Sequence, residues 1–176
     1  MGEITAPQGT RTSPPRALQF ETVEEWVASA HPSPSAVCDE WSSIATLALI
    51  PLGQSFEAIR IPDHIIHVAV MSDEPPIVGA RLAQHLRGPV IHDPGFRRYY
   101  ALVPVGTSPE WTASDAECLS GGTYLGVPRS DHTEMDQHTR ASYWAVPMTR
   151  PGHLCSPEVV RALVIVGRSP DDEDTE

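Results

Sequence analysis

Between Asp131 and His138 the chain sets three carboxylates and two imidazoles within eight residues: Asp131, His132, Glu134, Asp136 and His138. Carboxylate oxygens and neutral imidazole nitrogens are the usual ligands of divalent metals. The loop is therefore a candidate metal site, with His132, Asp136 and His138 as ligands and Glu134 as a general base. Its spacing matches no closed zinc site, and the same residues also make an ordinary solvated loop tip. A second concentration is cationic: Arg81, His85, Arg87, His92, Arg97 and Arg98, the last two running into Tyr99 and Tyr100. Arginine beside aromatic rings suits phosphate and base contact, and equally suits a surface that pairs with carboxylates. Side chains alternate along a strand, so Arg97 and Arg98 face opposite ways and only one belongs to a given surface. His64 and His67 follow Asp63 at a spacing that permits joint ligation, but Ile65, Ile66 and Val68 around them favour a partly buried pair.

Other chemistries are excluded or unsupported. All 12 basic residues are arginine, so neither a Schiff-base lysine nor a Walker-type phosphate lysine exists. An arginine-only basic set is also the mark of GC-rich coding, as in a high-GC bacterium. There is no G-x-S-x-G, no GxGxxG and no cysteine beside a histidine in a recognisable catalytic motif. The net charge is −11, five of it from Asp171, Asp172, Glu173, Asp174 and Glu176. An acidic body repels phosphate backbones, so nucleic-acid binding would need a local basic patch. Cys38, Cys118 and Cys155 stand far apart and form no CxxC pair, which points to reduced thiols in a cytoplasm. No apolar run reaches the ~18 residues of a membrane span, and the N-terminus reads as neither a secretion signal nor a myristoylation site.

The elements that must position these residues read as one α+β domain over 19–168, a mostly antiparallel sheet with short flanking helices. Residues 1–18, rich in Pro, Thr and Ser, are expected to be disordered, as is the acidic tail 169–176. Thr22 and Glu25 form a capping box that opens a helix through Ala30, and His31-Pro-Ser-Pro-Ser breaks it. Strands are expected over 44–50 and 56–61, joined by a turn at 51–55, with Phe56, Ala58 and Arg60 on one face of the second. A helix N-capped by Asp63 runs to about Met71. Another begins at Pro75-Pro76, carries Val78, Leu82 and Leu86 on one stripe, and stops at Gly88. Strands at 90–92 and 96–103 flank the turn Asp93-Pro94-Gly95. Residues 107–118 are turn-rich. The segments 123–128 and 142–147 predict a β-hairpin-like unit, with Gly121-Gly122 letting a backbone approach closely. Pro157 opens a last helix through Val166. The four tryptophans read as packing residues.

Two of these segments resemble the prim-pol domain of bacterial bifunctional DNA primase/polymerases, which has the archaeo-eukaryotic primase fold. GGTYLGVPRSDH (121–132) is similar to that family's Gly-Gly-Tyr-Val-Val-Ala-Pro-Pro-Ser strand, with Tyr143-Trp144 as the aromatic strand that follows it. FRRYYALVP (96–104) is similar to its Gly-Arg-His-Leu-Tyr-Phe-Arg-Val-Pro strand. Together they cover less than a third of the chain. The resemblance implies a groove lined by Arg97, Arg98, Tyr100, Gly121, Gly122 and Tyr124. The family's nucleotide-binding histidine falls at Arg98. Of its metal-binding acidic pair only Glu57 remains, and Glu117, four residues before Gly121, is the nearest carboxylate to the third acidic position. Two-metal phosphoryl transfer needs carboxylates that hold two ions about 4 Å apart. A chain without two of those three groups would not polymerise, so the resemblance implies a degenerate, non-catalytic relative.

Three functional readings follow. The first is a non-catalytic cytoplasmic binding or accessory domain that contacts a nucleotide, a nucleic acid or a protein partner, with no membrane association. The second is a small enzyme dependent on a divalent metal held by the 131–138 loop. The third is a protein–protein interaction or regulatory protein built on the apolar strands and the acidic tail.

Overall fold

The capping box is present: Thr22 Oγ1 accepts the Glu25 amide at 3.1 Å, and the Glu25 carboxylate accepts the Glu21 and Thr22 amides. It opens helix α1 (Val23–Ala28). The computed structural model describes residues 19–168; the expectations for 1–18 and for the acidic tail lie outside that range. α1 ends at Ala28, short of the expected Ala30 and before the run read as a helix breaker after His31, and that run also opens a second helix, α2 (Pro34–Ser42). Proline at the first helical position loses no hydrogen bond, because that amide has no intrahelical acceptor. Val37 and Trp41, one turn apart, are both buried.

The chain continues through β1 (Leu47–Pro51), β2 (Glu57–Pro62), α3 (Asp63–Val70), α4 (Pro75–Leu86), β3 (Val90–Asp93), β4 (Arg98–Val103), a 3₁₀ turn (Ser108–Glu110), β5 (Glu117–Leu119), β6 (Tyr124–Pro128), β7 (Tyr143–Val146) and α5 (Pro157–Gly167). Every strand pair is antiparallel, and the architecture is α+β. Asp63 stands one position inside α3 rather than capping it, and its carboxylate engages Arg97 instead. Arg87, not Gly88, takes the left-handed conformation that ends α4, at φ +51. Gly88 is required by packing: a Cβ there would stand 2.6 Å from the Cys155 amide nitrogen.

Five strands form a sheet in the order β5-β2-β4-β3-β7, and β1 and β6 form a separate two-stranded ribbon. The expected hairpin between 123–128 and 142–147 does not exist. β6 pairs with β1, and β7 pairs with β3. The intervening residues 129–142 are too many to act as a tight turn, so tertiary burial chose the partners. Likewise the turn 51–55 joins β1 to β2, but the two strands part into different sheets.

One face of the five-stranded sheet presents Ile59, Ile61, Val90, Tyr99, Ala101 and Val103 to α3, α4 and α5. The other presents Ala58, Leu102, Ile91 and Trp144 to the ribbon and to α1 and α2. The buried indoles of Trp41 and Trp144 tie the ribbon down by donating to the carbonyls of Val127 (2.9 Å) and Pro128 (3.0 Å). Among the described residues no helix is long and apolar enough to cross a membrane.

Candidate functional site

The structure divides the residues expected to share one groove. Arg98 and Tyr100 lie together on β4, where Arg98 stands opposite Pro62 and Tyr100 opposite Arg60. Tyr100 is half-buried. Burial raises its phenol pKa and Asp93 adds to the rise, against Arg98 and Arg60. Arg60 is itself held by Glu117. Arg97, expected at the start of the strand, lies instead in the turn before β4 at φ +56, where strand alternation does not apply, and donates Nε to the Asp63 carboxylate at 3.1 Å. Gly121, Gly122 and Tyr124 sit at the far end of β2. There Ser120 Oγ reaches Glu57 at 2.9 Å, and the Leu52 amide donates to the Thr123 carbonyl. From Glu57 to Pro62 is about 17 Å of strand. The close approach permitted by the glycines is made by the protein's own turn: a Cβ at Gly53 would stand 2.8 Å from the Gly121 nitrogen.

Glu57 is buried, with 3% of its surface exposed. Its carboxylate accepts the amides of Gly106 (3.1 Å) and Ser108 (2.8 Å), the Ser120 hydroxyl and the Cys118 thiol. Burial alone would raise its pKa; the two backbone donors and the two side-chain donors outweigh it and hold the carboxyl below its ordinary range. With its oxygens spent on the loop at 106–108 and on Cys118 and Ser120 at the end of β5, Glu57 serves as a structural clamp.

The acidic and histidine-rich loop is occupied in a similar way. Asp131 forms a forked pair with Arg129 at 2.6 and 2.9 Å, and Asp136 accepts the amides of His138 and Thr139. His132 Nδ1 lies 3.3 Å from Thr46 Oγ1. His132, Glu134 and Asp136 line one cleft of about 340 Å³, and His138 is not among its lining residues. Among the described residues no three His, Cys, Asp or Glu side chains are grouped to hold a metal ion. His64 is exposed, whereas His67 is half-buried with Nε2 3.3 Å from Tyr99 Oη.

His92 does not belong to the cationic surface with which the sequence grouped it. It is buried, stacks on Tyr99 with ring centroids 4.0 Å apart, and meets Tyr143 Oη at 2.8 Å through Nδ1. Burial pushes its pKa down to about 4, with His67 and Arg140 adding to the fall and Asp63 opposing it. Strand alternation around Val90 and Ile91 was the available signal, because it sends position 92 to the helix-covered face. The thiols of Cys118 and Cys155 are pushed up to about 12, both by burial and the former also by Glu57, so neither is a thiolate nucleophile at neutral pH.

The feature that sequence reasoning missed is the outward face of the ribbon. Ala48, Ile50, Leu125 and Val127 point inward and are buried. The opposite face is apolar as well: Leu47, Leu49, Pro51 and Tyr124, with Leu49 54% and Tyr124 62% exposed, and Ile44 fully exposed just before the strand. LALIP and YLGVP contain no charged residue. A half-covered antiparallel ribbon ordinarily alternates apolar with polar. The signal in the sequence was that absence of alternation. Elsewhere Arg60, Arg97, Arg129 and Arg168 are neutralised by Glu117, Asp63, Asp131 and Asp115.

No family model, no curated protein and no solved structure matches this chain.

Proposed function

We propose that this chain is a non-catalytic accessory domain that acts by binding protein through the outward face of the β1–β6 ribbon. One observation carries the reading: the ribbon is apolar on both faces, and its outward face leaves Leu49 and Tyr124 exposed while its inward face is buried. Exposed apolar surface on a ribbon that the fold already anchors from beneath has its use in association. Four of the arginines that could have gripped phosphate are bound to carboxylates, which favours a protein partner over a nucleic acid. Three thiols that stand apart as free cysteines support a cytoplasmic setting.

A photo-reactive phenylalanine analogue placed at Tyr124 tests this in cells that make the chain. The expected result is a discrete protein adduct, lost when Leu49→Lys is added and absent when the same probe replaces Arg98. Absence of any adduct at position 124 overturns the reading. So does tight binding of labelled single-stranded DNA at about 50 mM salt that is lost in Arg98→Ala.

A further inference from the structure

We infer that the occupant of this ribbon is a second copy of the chain, added antiparallel along β6; the inference rests on the ribbon being the contact surface. The Thr123 carbonyl accepts from the Leu52 amide (2.9 Å), and the Arg129 amide donates to the Thr46 carbonyl (3.2 Å). Odd-numbered residues of β6 therefore turn their backbone groups toward β1, and Tyr124, Gly126 and Pro128 turn theirs away. No third strand pairs there among the described residues. Other outward groups nearby are already engaged. The Leu49 amide of β1 donates to the Glu40 carboxylate at 2.8 Å, the Trp144 amide of β7 to the His132 carbonyl at 2.8 Å, and the Pro128 carbonyl takes the Trp144 indole. On β6 this leaves a short open edge: the amides and carbonyls of Tyr124 and Gly126.

That edge is self-complementary in one register. With Tyr124 opposite the partner's Gly126, each of the two symmetric pairs exchanges two N–H···O=C bonds and all four free groups of each edge are used. Sliding by one pair sets Tyr124 against the partner's Pro128, which has no amide to give. In the favoured register the tyrosine stands opposite a residue with no side chain of its own, so its ring meets the Leu47 side chain that covers that glycine. Leu47 already leans over that glycine: a Cβ at Gly126 would meet Leu47 Cδ2 at 2.8 Å. Charge also favours a self-contact at this line. The chain carries −11, and β1 and β6 carry none of it, so pairing here brings no carboxylates together.

Sedimentation velocity across about 1–200 µM, combined with amide exchange by NMR, tests the inference. The expected result is a reversible shift from 19.2 kDa to twice that mass. Exchange at Tyr124 and Gly126 slows about tenfold or more in the dimer, while Leu125 and Val127 are protected in both states. Tyr124→Lys, an edge charge, weakens dimerisation about tenfold without changing the circular dichroism spectrum. A single monomeric species throughout overturns the inference, as does a dimer whose Tyr124 and Gly126 amides exchange freely or that ignores Tyr124→Lys. A monomer that still yields a cross-link from position 124 to a different protein removes the second copy and leaves the ribbon reading standing. A monomer without any such cross-link removes both.

Discussion

Replacing Glu57 by alanine lowers the stability of the folded chain by about 3 kcal/mol in urea titrations at pH 7. Two backbone amides, a hydroxyl and a thiol converge on its carboxylate in a buried setting, and removing the acceptor leaves those donors without partners. Glu57→Gln recovers part of the loss, because one amide oxygen still accepts while the NH₂ faces donors. The pH dependence has a definite sign. The folded carboxyl titrates below its ordinary value of 4.5, so its contribution is complete above that value and is lost as pH falls through the lower, folded pKa. Glu57→Gln removes that slope. Retention of full stability in Glu57→Ala would contradict the clamp.

Acidification reaches His92 first. Its folded pKa of about 4 lies below the ordinary 6.5, so between these values the unfolded chain binds a proton that the folded chain refuses. Stability is therefore greatest above pH 6.5 and declines as pH falls to about 4, by about 3 kcal/mol in total. The cause is spatial: a buried imidazole stacked on Tyr99, bonded to Tyr143, and close to His67 and Arg140 cannot take up charge cheaply. Denaturant midpoints measured at pH 7, 6, 5 and 4 should trace this decline, and His92→Phe should flatten it over that window. An unchanged slope in the variant would place the acid sensitivity elsewhere.

Much of the scaffold was legible in local signals. The capping box at Thr22 and the stripe Val78, Leu82 and Leu86 each encode structure within a few residues and form where expected, while the turn expected at Asp93-Pro94-Gly95 forms one residue later and runs over 94–97. Strand alternation did not reach Arg97, because the turn extends to it and β4 begins only at Arg98. What local reasoning could not reach was pairing between distant strands. β6 and β7 are near in sequence, but Trp144 is worth more buried against Ile91 and beneath the ribbon than beside Tyr124. With β6 on β1 instead, Tyr124 stands opposite Pro51 on the ribbon, while Arg98 stays opposite Pro62 at the other end of β2. α2 was hidden because proline reads as a breaker until its place at the first helical position is known. The ribbon's outward face was hidden for a related reason. A continuous apolar strand suggests burial on both sides, and nothing in LALIP or YLGVP says which side is bare.

Hydroxyl-radical footprinting of Tyr124 and Leu49, in the dilute purified chain and again in the concentrated extract of cells that make it, addresses the central claim most directly. The ribbon account predicts that both residues are modified readily when the chain is alone and dilute, and protected in the extract, while exposed His64 reacts alike in both. Equal modification of Tyr124 and Leu49 in the two settings would contradict it.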